Sequence, residues 1–349
     1  MQQKKQIVIL GAGESGTGAA RLALTLGYDV FVSDKSPIAE KYKQELAEMG
    51  VAFEEGTHTL ETILTADEVV KSPGIPDKAP VLKAIREKGI PVMGEIEFGY
   101  RHVGPCTIVA ITGSNGKTTT TNLMYQLLKY AGMDVEMGGN VGTSFAELVC
   151  NRLGDGSKPV YVLEVSSFQL DDIITFRPNI GILLNITPDH LDRYDYQMEK
   201  YVQSKFRIAL NQQADDLLIL NADDPETQQY LKQHPQLVKG LLQQVERSSL
   251  ENGYVQVDEL AFDLGSTQIK GPHNLFNAAC AIRAALHLGV STNAIEEALF
   301  YFKPPAHRME KVAEKAGITW INDSKATNVD AVFFALQSMD QPTIWIVGG

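Results

Sequence analysis

The sequence predicts an α/β protein of parallel sheets with helices on both faces, in two doubly wound units and the beginning of a third. Three observations carry that prediction. Short apolar, β-branched runs alternate with helical stretches along almost the whole chain. Two of those runs end in glycine-rich turns that lead straight into helical patterns, GAGESG at 11–16 and GSNGKT at 113–118. The pair Pro304-Pro305 then separates a last stretch of β/α pattern from what precedes it.

The elements follow in order. QIVIL (6–10) is a buried strand, and GAGESGTGAA opens a helix that runs through Leu26. YDVFVSD is a second strand ending at Asp34, and alternation continues to about Met93, with VVKSPGIP (69–76) as a strand end and turn. The first domain is expected over 1–94, the second over 95–303. The second opens with the strand before Gly113 and contains the strand-like runs VYVLEVSS (160–167), NIGILLNIT (179–187) and DLLILNADD (216–224). In 304–349, GITWINDSK (317–325) and TIWIVGG (343–349) are expected to be two strands of a third α/β unit with a helix between them. Two strands and one helix cannot cover a sheet on both faces, so a C-terminally truncated chain is expected.

The 349 residues carry a net charge of −12, which excludes nucleic acid and anionic membrane as general partners but not small anions held by a local site. Hydrophobic content of 44% and charged content of 21% are ordinary for a globular protein. No stretch is long and apolar enough to span a bilayer. The start MQQKKQIVILGAG leads into a strand and not a signal peptide. Cys106, Cys150 and Cys280 lack metal-type spacing and suit reduced thiols. A cytoplasmic location is expected.

The chemistry concentrates at 108–121, IVAITGSNGKTTTT. Gly113 and Gly116 let backbone N–H groups crowd an anion, Lys117 adds a positive charge, and the Thr118 hydroxyl can reach a phosphate-bound Mg²⁺. The loop is shorter than the common G-x-x-x-x-G-K-[ST], because Ile111 stands where the first glycine would be. Gly11, Gly13 and Gly16 form G-x-G-x-x-G, with Asp34 eighteen residues past Gly16. That fingerprint suits NAD in a dehydrogenase, or equally a nucleotide-sugar diphosphate; Asp34 is also explicable as a turn residue in SDKSP. Ser72-Pro73-Gly74 ends another strand at the same crevice.

Glu164, near the end of an apolar strand, is costly to bury unless paired or bound to metal. Asn185 to Asp192, NITPDHLD, ends another strand with metal-competent groups; His190, flanked by acids, is a candidate ligand and otherwise a loop histidine. Lys205, in a helical pattern, is by default a solvated surface lysine. Asn274 and Asn277 share a helix face, and capping explains the first as well as ligand contact does. Arg308, Asp323, Lys325 and Thr327 cluster polar groups after the proline pair.

Taken together, GAGESGTGAA, TGSNGKTT, LEVSSFQL, DHLDRY and NDSKATN resemble the Mur ligase family across essentially the whole chain. The resemblance implies three domains: a Rossmann-like N-terminal domain, a central ATPase domain, and a partial C-terminal Rossmann-like domain. It implies an ATP-dependent ligase that adds D-glutamate to UDP-N-acetylmuramoyl-L-alanine through an acyl phosphate, with peptidoglycan precursor as product. Ser15, Asp34, Lys35, Ser72, Pro73 and Gly74 would then hold the UDP moiety, with Asn140, Ser166 and His190 at other substrate contacts. Gly113, Ser114, Asn115, Gly116, Lys117, Thr118 and Thr119 would hold ATP, joined by Asn274, Asn277, Arg308, Asp323 and Lys325. Thr118, Glu164, His190 and Lys205 would hold two Mg²⁺ ions, Lys205 as a carbamate. Lys117, Glu164, His190 and Lys205 would be catalytic, and Thr327 would lie near the incoming amino acid. A monomer is expected. The family's third domain carries most of the D-glutamate contacts, so a nucleotide-binding chain without turnover is the alternative, and the NAD-dependent dehydrogenase a distant one.

Overall fold

A computed structural model describes residues 4–250, 253–339 and 341–348. Its contacts gather into two units, one of 1–110, 136–179 and 192–212, the other of 111–135, 180–191 and 213–349.

The first unit begins as a five-stranded sheet. Strands β1 (Gln6–Leu10), β2 (Asp29–Asp34), β3 (Ala52–Glu55), β4 (Glu68–Lys71) and β5 (Val92–Gly94) are all parallel, in the order β3-β2-β1-β4-β5. The order reverses at β1, so the turns after β1 and β4 open on one crevice at the carboxyl edge. Between the strands run α1 (Glu14–Thr25), α2 (Glu40–Glu48), α3 (Leu60–Ile63) and α4 (Pro80–Glu87). Central strand β1 is apolar on both faces and buried from Ile7 to Leu10. Val8, Leu10, Ile63, Val69, Leu82 and Ile85 make one side of the core.

Helix α5 (Glu95–His102) follows β5 directly and leads to β6 (Thr107–Thr112), which contributes residues to both units. The first unit also holds β7 (Val135–Gly139) from Glu136 on, α7 (Phe145–Asn151), β8 (Val160–Glu164), α8 (Ser167–Asp171) and α9 (Met198–Phe206). Here α1 packs closely on α7: a side chain at Gly18 would run into the hydroxyl of Ser144, the α7 N-cap.

The second unit contains α6 (Lys117–Tyr130) and the parallel strands β9 (Ile180–Leu183), β10 (Leu217–Asn221) and β11 (Leu241–Val245). Helices α10 (Pro225–Gln233), α11 (Pro272–His287) and α12 (Thr292–Tyr301) accompany them, with an antiparallel hairpin of β12 (Tyr254–Val257) and β13 (Leu260–Asp263).

The last stretch departs from expectation. Ile318–Asn322 is a strand, β15, but its partner is β14 (Glu310–Lys315), in an antiparallel hairpin. Helix α13 (Val329–Gln337) follows, and 343–348 forms no strand; Gly349 lies outside the described residues. The two strands turn back on each other at Ala316-Gly317, both at positive φ. That local pairing needs no crossover. Without a neighbouring strand, Ile344, Ile346 and Val347 are exposed. No described helix is long and apolar enough to cross a membrane.

Candidate active site

In the first unit, the turn after β1 is held from below. Gly11 N–H donates to the Ser33 carbonyl at 2.9 Å, and Ala12 N–H to Asp34 Oδ2 at 2.8 Å. Asp34 Oδ1 accepts from Ser36 N–H at 2.8 Å, so this carboxylate serves both its own turn and the glycine loop. At Gly16 any side chain would collide with the Gly11 carbonyl, and at Gly11 with the Ser72 hydroxyl. The fingerprint glycines therefore bring the GAGESG loop and the Ser72-Pro73-Gly74 turn into direct contact. Ser15 is half-buried beside them at the start of α1, while Lys35 is exposed.

The Ser72 turn is bolted from the other side. Lys71 Nζ lies 2.6 Å from Asp172 Oδ2 and 3.3 Å from the Ile75 carbonyl; both side chains of the ion pair are buried. Burial pushes the Asp172 carboxyl up to about 6 although Lys71 pulls it down. Arg193 Nη1 and Nη2 donate to the Gly74 and Pro73 carbonyls at 2.8 and 3.0 Å. None of these three residues was assigned a role from sequence. DHLDRY, which holds Arg193, was the available signal.

Glu164 ends β8 and is 2% exposed. Asn140 Nδ2 donates to its Oε1 at 3.0 Å, and Asn140 N–H to its carbonyl at 2.8 Å. Its Oε2 is buried without a hydrogen-bond partner. A buried carboxylate oxygen left in this way is costly in itself and suits a cation. Ser166 closes a capping box with Gln169 at the start of α8. Lys205 corrects the default sequence reading. It is 1% exposed, on the inner face of α9, with Nζ 4.6 Å from the centre of the Tyr201 ring. Its neighbour Ser204 donates to the Ser167 carbonyl at 2.9 Å, tying α9 to α8. Tyr201, four residues earlier on the same face of α9, is buried with it.

In the second unit, Gly113 and Gly116 take φ of +154° and +86°, and a Cβ on Gly116 would lie 2.5 Å from Asn277 Oδ1. The loop is cross-braced to the end of β9. Ser114 Oγ donates to the Thr187 carbonyl at 2.9 Å, and Thr187 N–H donates back to Ser114 Oγ at 3.0 Å. Asn115 N–H donates to Asn185 Oδ1 at 2.9 Å, and Asn185 Nδ2 to the Asn115 carbonyl at 3.0 Å. Lys117 Nζ is held over the loop by the Gly113 and Ser114 carbonyls at 2.7 and 2.9 Å. Helix α6 has no side-chain cap, so its first N–H groups remain for an anion. Thr119 is buried in its first turn.

Arg308 Nη2 donates to Thr118 Oγ1 at 2.9 Å, and Asn328 Nδ2 to Asn115 Oδ1 at 3.0 Å. Asn277 Nδ2 reaches Asn274 Oδ1 at 3.3 Å, and Asn274 donates to the Lys270 carbonyl. Asn274 is not the helix cap: Gly271 occupies that position. Asp323 accepts from Met309 N–H at 3.0 Å; burial raises its carboxyl, against the pull of that bond and of Arg308. Lys325 and Thr327 are exposed nearby in sequence. His190 is exposed, at φ +50°, 3.6 Å from Asp189. Among the described residues no three His, Cys, Asp or Glu side chains gather as a ready metal cluster.

Two family models match: the Mur ligase middle domain over residues 111–285, and the Mur ligase MurD-like N-terminal domain over 5–94. The chain belongs to the Mur ligase family. Among curated relatives of this Mur ligase is the UDP-N-acetylmuramoylalanine–D-glutamate ligase of Christiangramia forsetii, 46% identical over 99% of this chain and 78% of its own length. That of Bacteroides fragilis is 47% identical with the same coverage. Among solved structures, the Neisseria meningitides UDP-N-acetylmuramate:L-alanyl-gamma-D-glutamyl-meso-diaminopimelate ligase superposes with a TM-score of 0.62 at 21% identity, covering 87% of this chain and 99% of that one. The UDP-N-acetylmuramate-alanine ligase of Thermotoga maritima gives 0.58 at 21%, covering 95% of this chain and 77% of that one. At that identity the structures speak for the Mur ligase fold. Family membership sets aside the dehydrogenase reading of GAGESG.

Proposed function

We propose that this Mur ligase joins D-glutamate to UDP-N-acetylmuramoyl-L-alanine, driven by ATP, in peptidoglycan precursor synthesis. The observation that carries the proposal is the cross-braced GSNGKT loop in a chain 46–47% identical to ligases of that name. In this reading the substrate carboxylate attacks the γ-phosphorus, ADP leaves, and an acyl phosphate forms. The amine of D-glutamate then attacks the acyl carbon and phosphate departs.

Residues of the loop do the positioning. The N–H groups at the start of α6 and the Lys117 ammonium take up charge on the phosphates, which is most of what phosphoryl transfer requires. Lys117 exchanges its loop carbonyls for phosphate oxygens, and Asn274, Asn277, Arg308, Asp323 and Lys325 complete the ATP side. Asp34 and the Ser72 turn hold the UDP handle, together with Ser15, Lys35, Asn140 and Ser166; Thr327 serves the amino-acid side. Mg²⁺, when bound, would neutralise charge developing on the transferred phosphoryl group. Thr118, Glu164, His190 and a carbamylated Lys205 are assigned to two such ions. The orphaned Oε2 of Glu164 supports its part in this, and the burial of Lys205, away from the solvated face of α9, supports its part. Division into 1–94, 95–303 and 304–349, a monomeric state and a cytoplasmic location belong to the same reading.

The test is phosphate release from ATP by the intact protein. Sustained release requires both UDP-N-acetylmuramoyl-L-alanine and D-glutamate; indifference to either overturns the assignment.

A further inference from the structure

The turn Ser72-Pro73-Gly74 is gripped by a side chain that no sequence argument singled out. Arg193 sits in a 3₁₀ turn, Leu191–Tyr194, and spends two guanidinium donors on consecutive carbonyls, Pro73 and Gly74. Its guanidinium carbon lies 4.4 Å from the centre of the Phe168 ring, in the first turn of α8. Among the described residues no carboxylate pairs with it, so this arginine is not half of a salt bridge. A planar fork lying over an aromatic ring holds two acceptors in one fixed plane, a geometry that the point charge and rotatable donors of a lysine do not impose.

The consequence lies on the opposite edge of the turn. Every described peptide bond is trans, so a carbonyl and the N–H that follows it point in opposite directions. With the Pro73 carbonyl turned to Arg193, the Gly74 N–H is presented away from it. Ile75 N–H is already given to the Ser72 carbonyl at 3.1 Å. The turn thus offers one aimed amide donor, next to a Ser72 hydroxyl that touches the Gly11 loop.

We propose that Arg193 is a positioning residue for the nucleoside diphosphate handle, acting through the backbone of Pro73 and Gly74 and not by touching the ligand. The proposal rests on the reading of this crevice as the UDP holder. It predicts that losing the fork loosens the aimed donor while the remainder of the turn stays in place, because Lys71, Asp172 and the Ser72 N–H bond to Leu10 at 2.8 Å hold it independently.

The test is titration of the protein with UDP, and separately with ADP, for wild type, Arg193→Ala and Arg193→Lys. Arg193→Ala weakens UDP binding about tenfold or more, Arg193→Lys by an intermediate factor, and ADP binding stays within about twofold. Added methylguanidinium restores UDP binding to Arg193→Ala, a rescue that a merely structural loss would not show. If Arg193→Ala fails to fold, Arg193→Lys alone decides: UDP affinity within about twofold of wild type overturns the proposal. Wild-type protein that does not bind UDP at all removes the handle reading and this proposal with it. Wild type that binds while both variants bind equally removes only the proposal.

Discussion

Asn140 donates to one oxygen of Glu164 at 3.0 Å, and the other oxygen of that carboxylate is buried with no hydrogen-bond partner. Asn140 also donates its backbone N–H to the Glu164 carbonyl, so the loop after β7 fixes both ends of the residue. A side chain held and desolvated in this way carries a cost in stability, which in the proposed reading a bound cation offsets.

Glu164→Gln keeps the shape and the Asn140 contact while removing the charge. Turnover in the phosphate-release assay should fall by about 100-fold or more, and titration with Mn²⁺ and ATP should show weakened metal binding. Thermal stability should hold or rise, since a buried charge is lost. A variant that turns over at the wild-type rate would show that Glu164 is structural.

The phosphate loop was legible because its chemistry is local: strand, glycine turn and lysine are contiguous, and period and punctuation suffice to find them. The same holds for β1, α1 and β2. Lys205 was not legible from spacing, because a helical lysine looks alike whether it faces solvent or core. Only tertiary packing decides, and here it buries the face of α9 that carries Tyr201, Ser204 and Lys205. Arg193 failed to register for a related reason, since its acceptors are carbonyls 120 and 119 residues away and backbone groups carry no sequence signature. The strand expected at 343–349 rested on an apolar run alone. Such a run states a need for burial but not its partner.

Glu97 is fully buried on α5 and collects the N–H groups of Ile174, Thr175 and Phe176 on Oε2, each at 2.9 Å, with the Thr175 hydroxyl and Arg101 on Oε1. Burial alone would raise its carboxyl, but the Thr175 hydroxyl and the three N–H groups outweigh it and hold the group below its usual range. Glu97→Ala strands those donors and should cost about 3–5 kcal/mol in urea unfolding. The depressed folded-state value means this stabilisation is present above the unfolded pKa and is lost as pH falls through the folded one. A loss under about 1 kcal/mol would contradict the nest.

The Lys71–Asp172 pair should behave asymmetrically. Asp172→Leu leaves a buried ammonium with only the Ile75 carbonyl at 3.3 Å and should cost about 3–5 kcal/mol. Replacing both, as Lys71→Met with Asp172→Leu, should recover most of that loss. Additive losses in this double-mutant cycle would show that the two charges do not interact. UDP binding read on the same variants separates the pair from Arg193: it should follow folding, not the charge.

Glu95 opens α5 with its carboxylate fully buried, accepting from Ala146 N–H at the start of α7 and leaving Oε2 without a hydrogen-bond partner. Burial raises its carboxyl to about 7; the N–H groups of Ala146 and Phe145 pull it down, and Glu14 on α1 pushes it further up. The sign follows directly. Between the unfolded value of 4.5 and the folded value of about 7, the folded chain holds a proton that the unfolded chain has released. Stability therefore declines as pH rises through that window, by about 3 kcal/mol for this group, and stays lower above it. Glu95→Gln keeps an oxygen for the Ala146 N–H and removes the charge, so it should be more stable than wild type at pH 8 and little changed at pH 5. Urea midpoints taken across that range decide the matter. Parallel pH profiles for variant and wild type would mean that Glu95 is ionised throughout and that another group supplies the dependence, Asp172 at about 6 being the next in line.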